Sequence, residues 1–347
     1  MAYFYLFSLD GLLDRPKYGA FPYNFDGMEW TSGAVIALST GEIEWGWGTP
    51  VRSAKPEGFY APDFGLKEIS PWWCFPHQKR GSLAQFLALI PEETGAVAWE
   101  SAFETEFKSQ MEAFQRSALR KVVPYVMVEG VGKGAFKWQA LRGATQYAMA
   151  TGTALYGWWH EGKGMIGATP ELLFSMEGTR LLTQAVAGTI RHGEPAHASL
   201  EDEHRIVVEA IEAALRPFGR IERGLREERK LRFFSHLVTP LALYSHHPLD
   251  FQQCVKALHP TPALGGEPRE EALKWLQTVP KGVRGRYGAP FGHSSGCCWV
   301  AIRNMQWKGE RCQIGVGCGI VKESRWEDEW AELQVKCQSV QHLLTLT

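Results

Sequence analysis

Two segments with helical periodicity carry carboxylates where carboxylates invite chemistry. Over Ser199–Leu215, residues Ile206, Val207, Ala210, Ile211 and Ala214 form one apolar side. Glu203, four residues before Val207 and seven before Ala210, falls on that same side. A carboxylate on a buried face is costly unless it is paired or bound to a metal. A helix-start carboxylate favoured by the macrodipole also accounts for Glu203, with no ligand at all. Over Trp326–Leu344, Glu329, Glu332 and Lys336 share a stripe beside the apolar stripe of Trp330, Leu333, Cys337, Val340 and Leu344. Glu332 and Lys336 stand four apart in the favourable order. They form either an exposed ion pair worth about 0.2–0.5 kcal/mol or a cation ligand with an anion-holding neighbour.

Three further places hold groups of a useful type. In Gly167-Ala-Thr-Pro-Glu171-Leu-Leu-Phe174, Pro170 sets the approach of a carboxylate to an apolar strand, although a Glu at a strand end is ordinarily solvated. The run Gly315-Val-Gly-Cys-Gly319 can bring backbone N–H groups close to an anion, or simply end a strand. It is neither a Rossmann fingerprint nor a P-loop, because the G-x-x-G spacing and a following Gly-Lys-Ser/Thr are missing. His236, in Ser235-His-Leu-Val-Thr239, reads alone as a core histidine.

These groups need a frame. A hairpin is expected from Ala34–Leu38 and Glu42–Trp47 around Thr40-Gly41. Phe103–Leu119 reads as a helix, and the Val-rich Lys121–Val128 as a strand in which Pro124 suits an edge or bulge. Ala154–Trp159, Glu171–Met176 and Arg180–Thr183 read as strands separated by turns at Gly162–Gly164 and Glu177-Gly178. A second hairpin joins Trp299–Met305 to Gln313–Val316 around Lys308-Gly309, and the helix from Trp326 closes the chain. Strands come in runs with helices between the runs, which predicts an α+β fold. At 347 residues, 45% of them hydrophobic, one large domain can be filled, and no Ser/Gly/Pro linker divides it.

Bulk properties narrow the function. The net charge is -1 with scattered Lys and Arg, so no basic stripe argues for nucleic acid. No apolar run reaches the length of a membrane span. The start, Met1–Asp10, lacks a basic region, and no secretory signal is expected. The seven cysteines are odd in number and include no C-x-x-C, which argues against a disulfide framework or a zinc site. Free thiols suit a reducing compartment, and a cytoplasmic protein is expected.

In chain order the sequence reads Lys121-Val-Val, Gly-Ala-Thr-Pro-Glu171, Ala185-Val-Ala-Gly-Thr189, Glu203-His and His236-Leu-Val-Thr. Then come Leu258-His-Pro-Thr-Pro-Ala-Leu-Gly-Gly266, Arg284-Gly-Arg-Tyr287-Gly, Ile302-Arg303, Gly317-Cys-Gly-Ile-Val321 and Glu329-Trp-Ala-Glu332 with Lys336. From about Phe103 to the C-terminus this succession resembles the chorismate-utilising enzymes. These are the isochorismate and salicylate synthases and the large subunits of anthranilate and aminodeoxychorismate synthases. The resemblance implies one α+β domain over residues 1–347, with antiparallel sheets packed face to face, helices outside and a cleft between. Residues 101–347 would be the chorismate-binding core and 1–100 a divergent N-terminal part.

For the chemistry, the resemblance implies that chorismate is the substrate. Lys121 would be the base that activates water for attack at C2, and Glu171 the acid that protonates the departing C4 hydroxyl. The acid role requires a raised pKa. Mg²⁺ would be held by Glu203 and Glu332, with Glu329 in support. Arg303, Tyr287 and Lys336, with the backbone at Gly317 and Gly319, would hold the substrate's carboxylates. His236, Gly188, Thr189 and Thr261 would line the cleft.

Within the family, Lys121 matches the members that activate water. Ala187 stands where many aminodeoxychorismate synthases carry a nucleophilic Lys. His259-Pro-Thr-Pro-Ala-Leu-Gly-Gly266 resembles the isochorismate synthase form of that motif. The expectation is an isochorismate synthase serving menaquinone biosynthesis, a monomer with no glutaminase subunit. The alternatives are a salicylate synthase, which shares base, acid and metal site, and a non-catalytic chorismate-binding relative. Two departures from the family pattern bear on the site. Pro124-Tyr125 follow Lys-Val-Val, and Cys318, in place of Ala in the Gly-rich loop, is expected to narrow the pocket.

Overall fold

A computed structural model of the chain describes residues 31–100, 103–191, 198–230, 234–279 and 283–345. Its frame is two large antiparallel sheets. The first runs, edge to edge, through His77–Gly81, Ile43–Trp47, Gly33–Ala37, Ala154–His160, Lys163–Thr169, Asn304–Lys308, Arg311–Gly317, Tyr125–Gly134 and Gly95–Trp99. The second runs through Gly219–Arg223, Phe234–Ser245, Arg180–Arg191, Leu172–Glu177, Cys297–Val300, Pro290–His293, Phe59–Tyr60, Trp72–Cys74 and Val51–Ser53, with Glu227–Lys230 also on Phe234–Ser245. A third sheet is small: Lys121–Val122 lies between Gly266–Glu267 and Ile320–Val321.

The two-residue repeat of a strand sorts each sheet into an inner and an outer face. Ala34, Ile36, Tyr156, Trp158 and Met165 from the first sheet meet Phe59, Trp73, Phe291 and Cys297 from the second in one buried cluster. There Trp73 stacks on Trp158 at 4.6 Å between ring centroids. The alternate residues Val35, Trp45, Trp159 and Ile166 pack outward under the helices Glu104–Gln115, Phe136–Thr151 and Trp326–Thr345. On the far side, Ala198–Leu215 and Phe251–Leu258 cover the second sheet through Val207, Ile211, Phe251 and Val255. The expected α+β fold, sheets face to face with helices outside, is what the chain adopts. Residues 31–100 belong to this frame, since their strands enter both large sheets.

Two expected strands are each divided between sheets. Lys121–Val128 breaks at Pro124, whose missing N–H cannot continue a ladder. Lys121–Val122 goes to the small sheet and Tyr125–Gly134 to the first large one. Trp299–Met305 breaks at Ala301–Arg303: Cys297–Val300 ends in the second sheet and Asn304–Lys308 begins in the first. Lys163–Thr169 and the helix Phe136–Thr151 had no counterpart in the sequence expectations. The helix lacks a side-chain N-cap and mixes apolar and polar residues, so its signal in sequence is weak.

Candidate active site

Glu171 and Arg303 occupy two neighbouring crossings between the large sheets. The chain leaves the first sheet at Thr169 and enters the second at Leu172, with Glu171 in the step. It returns through Ala301–Arg303. The crossings are tied together: Val300 N–H donates to the Glu171 carbonyl at 3.0 Å, and Ala168 N–H to that of Arg303 at 3.3 Å. Arg303 adopts φ 55°, a left-handed backbone rare for a residue with a side chain. Burial raises the Glu171 carboxyl to about 7, against the opposing pull of Arg303, Lys336 and Lys121. Glu171 therefore lies within electrostatic reach of all three cations. A raised pKa is what the acid role expected of Glu171 would need.

Lys121 is fully buried at the centre of the small sheet, paired to Glu267 on one side and Val321 on the other. Its Nζ donates to Glu203 Oε1 at 2.7 Å. Glu203 arrives from the helix over the second sheet, so this pair joins elements 82 residues apart in sequence. Gly319 explains why they can meet: a Cβ there would collide with Glu203 Oε1 and stand 3.0 Å from Lys121 Cε.

The last helix supplies the second pair. Lys336 Nζ lies 2.5 Å from Glu332 Oε1 and donates to the Gly317 carbonyl at 3.1 Å. Burial pulls the Lys336 ammonium down, but Glu332 and Cys318 outweigh it and hold it above its ordinary value. Glu329 is driven well above the carboxylate range by removal from water and by Glu332 and Glu203 nearby. The Cys318 thiol is directed to the Glu329 carbonyl at 3.7 Å.

The remaining sequence candidates fall around this cluster. Tyr287 is buried against Gly315, and its hydroxyl lies 3.3 Å from where a Cβ on Gly317 would stand. His236 is pushed down to about 3 by burial, then by Lys336 and Arg303, so it is a neutral imidazole. Gly188 sits at the bulge where Arg180–Arg191 changes register against Phe234–Ser245. Thr189 faces His236 in that register, and its side chain lies outside the described residues. Thr261 is buried in the turn before Gly266, where its carbonyl accepts the N–H groups of Leu264 and Gly265.

Sequence reasoning missed several neighbours. His204 Nε2 meets Thr239 Oγ1 at 2.7 Å and so fixes the helix turn that carries Glu203. Tyr147, on the unanticipated helix, contributes to the electrostatic surroundings of Arg303. Gly292-His-Ser-Ser-Gly296 also has the spacing of a nucleophile elbow, but it forms a turn between antiparallel strands rather than a strand-to-helix turn. A cavity of about 660 Å³ lies apart from the cluster, lined by Trp138, Trp159, Trp307, Lys137, His160 and Lys163 among others.

Residues 88–345 match the family described as chorismate binding enzyme. The chain belongs to that family. Among chorismate binding relatives, the salicylate biosynthesis isochorismate synthase of Pseudomonas aeruginosa is 33% identical over 201 residues, 52% of this chain and 42% of that one. Isochorismate synthase MenF of Bacillus subtilis is 32% identical over 200 residues, covering 51% and 41%. The matches thus span about two-fifths of those relatives' length. The structure of MenF, the menaquinone-specific isochorismate synthase of Escherichia coli, is similar in fold. Its TM-score is 0.75 over 90% of this chain and 88% of that one, at 17% identity.

In this member of the family the candidate cation donors are hard oxygens, as Mg²⁺ prefers. Glu203, Glu332 and Glu329 come close enough for the first two to raise the pKa of the third. Among the described residues, no three His, Cys, Asp or Glu side chains are gathered tightly enough to hold an ion as they stand. The reason is visible in the pairs: Glu203 is turned to Lys121 and Glu332 to Lys336. The donor set fits the ion in chemistry, and rotation of two carboxylates away from two ammonium groups would open it.

Proposed function

We propose that this protein is an isochorismate synthase, converting chorismate to isochorismate with Mg²⁺ bound by Glu203 and Glu332. The observation that carries the proposal is the buried Glu171, raised to about 7 and electrostatically coupled to Lys121, Arg303 and Lys336. An acid and an amine facing one closed space match a reaction that must protonate one oxygen and deprotonate another.

Arg303, Lys336 and the Tyr287 hydroxyl bind and orient the two carboxylates of chorismate. Lys121 takes a proton from water as the oxygen bonds to C2. The ring double bonds shift, and the C4–O bond breaks as Glu171 delivers its proton to the departing hydroxyl. One water enters and one leaves, so the net change is an isomerisation. Lys121 ends with one proton more and Glu171 with one fewer, and solvent exchange resets both. Mg²⁺ when bound supplies positive charge that neutralises a substrate carboxylate.

Water rather than ammonia as nucleophile calls for no glutaminase subunit, and we take the enzyme to act as a cytoplasmic monomer. Supply of menaquinone biosynthesis is favoured by the MenF relatives. The test is a product assay with purified protein, chorismate and Mg²⁺, with and without ammonia. Isochorismate alone is expected in both. Salicylate with pyruvate would move the assignment to a salicylate synthase, an aromatic amine to an ammonia-using member, and no conversion to a binding-only relative.

A further inference from the structure

Arg284 is buried, with 7% of its surface exposed, and among the described residues no carboxylate is a cause of its pKa shift. Burial pulls its pKa down to about 10, with Tyr287 and Tyr125 acting the other way, so it stays charged at neutral pH. Its guanidinium sits in an aromatic box, 3.5 Å from the ring centroid of Phe64, 4.7 Å from Tyr125 and 5.3 Å from Tyr287. Nε donates to the Tyr287 carbonyl at 2.9 Å and Nη2 to the Leu264 carbonyl at 3.2 Å. Nη1 has no hydrogen-bond partner among the described residues. Gly288, at φ 75°, leaves room for it: a Cβ there would come within 2.8 Å of Nη2.

A buried cation without an acid partner is expensive, so its placement needs a reason beyond packing. The two carbonyls it joins belong to the two loops that frame the site. One carries Tyr287. The other runs into Gly266, which pairs with Val122 beside Lys121. A rigid guanidinium fork can hold two such carbonyls at a fixed separation, whereas an ammonium on a flexible stem cannot do so equally.

We infer that Arg284 is a positioning residue for chorismate: it sets Tyr287 against the Lys121 strand without touching substrate itself. This rests on the proposed function above. The experiment is a double-mutant cycle with Arg284→Lys and Tyr287→Phe, reading KM and kcat for chorismate per folded active site. If Arg284 acts through Tyr287, Arg284→Lys raises KM about tenfold, a loss of about 1.4 kcal/mol, with a smaller change in kcat. In the Tyr287→Phe background the same change then adds little.

Additive effects, or an unchanged KM in Arg284→Lys, overturn the inference. Arg284→Gln, which keeps donors for one carbonyl, serves as the second variant if Arg284→Lys folds poorly, with the same cycle and the same overturning results. Wild-type protein that neither binds nor converts chorismate defeats the functional proposal itself, and that is seen before any variant is made.

Discussion

Two places bury a carboxylate between or beside the large sheets, and their environments drive them in opposite directions. At Glu44 burial raises the pKa, but His293 and Arg80 outweigh it and the carboxyl ends below its ordinary value. Arg80 Nε donates to Glu44 Oε2 at 2.6 Å, and His293 Nε2 lies 3.3 Å from Oε1. This cluster joins the first sheet to the second. It even extends to the exposed Ser295, whose Oγ is 3.0 Å from His293 Nδ1. Yet the N–H groups of Ser295 and Gly296 are already spent on His293, so no oxyanion hole stands beside that serine. At Glu171 three cations act from a distance, and burial prevails. A carboxylate satisfied by contact holds sheets together. One removed from water, with cations acting only from a distance, has its pKa raised.

The sharpest way to break this contrast is Lys121→Ala. It is expected to lower turnover about 10²–10⁴-fold while circular dichroism stays native. Normal turnover would remove Lys121 from the mechanism. Next, if Glu171 is the acid, kcat/KM falls as pH rises past about 7. A pH–rate profile for Glu171→Gln should be slower throughout and lack that alkaline limb. A retained limb would assign it to another group.

Stability should then separate the two carboxylates by sign. Glu171 has a folded pKa above its unfolded value, so the folded state holds the extra proton and stability falls as pH climbs from about 4.5 to about 7. At pH 8 the cost approaches about 3 kcal/mol, and Glu171→Gln should raise the melting temperature there. Glu44 is the reverse case. Its contribution is present above the unfolded value of 4.5 and is lost as pH falls through the lower folded value. Glu44→Gln should destabilise by about 2 kcal/mol at pH 7 and leave kcat per folded molecule intact. Matching signs in the two melting series would erase the distinction.

The smallest expected effect concerns the metal. Glu203→Gln and Glu332→Gln should each weaken Mn²⁺ binding, followed by electron paramagnetic resonance, about tenfold (1.4 kcal/mol). Unchanged binding in both would remove the metal assignment.

Much of the fold was legible because the turn at Thr40-Gly41 between the runs Gly33–Ala37 and Ile43–Trp47, and the apolar side of Ala198–Leu215, are local properties. The helix Phe136–Thr151 was not legible, since its start lacks a capping side chain and its burial comes from packing on the last helix and the first sheet. The site was legible as an ordered set of motifs, each weak alone. Arg284 and His204 escaped because their role lies in contacts across the fold. These are a carbonyl 20 residues away for Arg284 and a threonine 35 residues away for His204.

By itself the sequence determined which residue types were present and in what order: an amine, a lone strand-end carboxyl, two helix-borne carboxylates and an arginine after an isoleucine. It also determined the break at Pro124, because a ring nitrogen without hydrogen cannot extend a ladder. Only the tertiary structure decided that Glu171 and Arg303 share a seam between sheets. It alone decided that Lys121 meets Glu203 across a glycine, and that Glu171 is a buried carboxyl with a raised pKa rather than a solvated carboxylate. Those outcomes depend on desolvation and on charges brought together from distant parts of the chain, and no local pattern of residues encodes either.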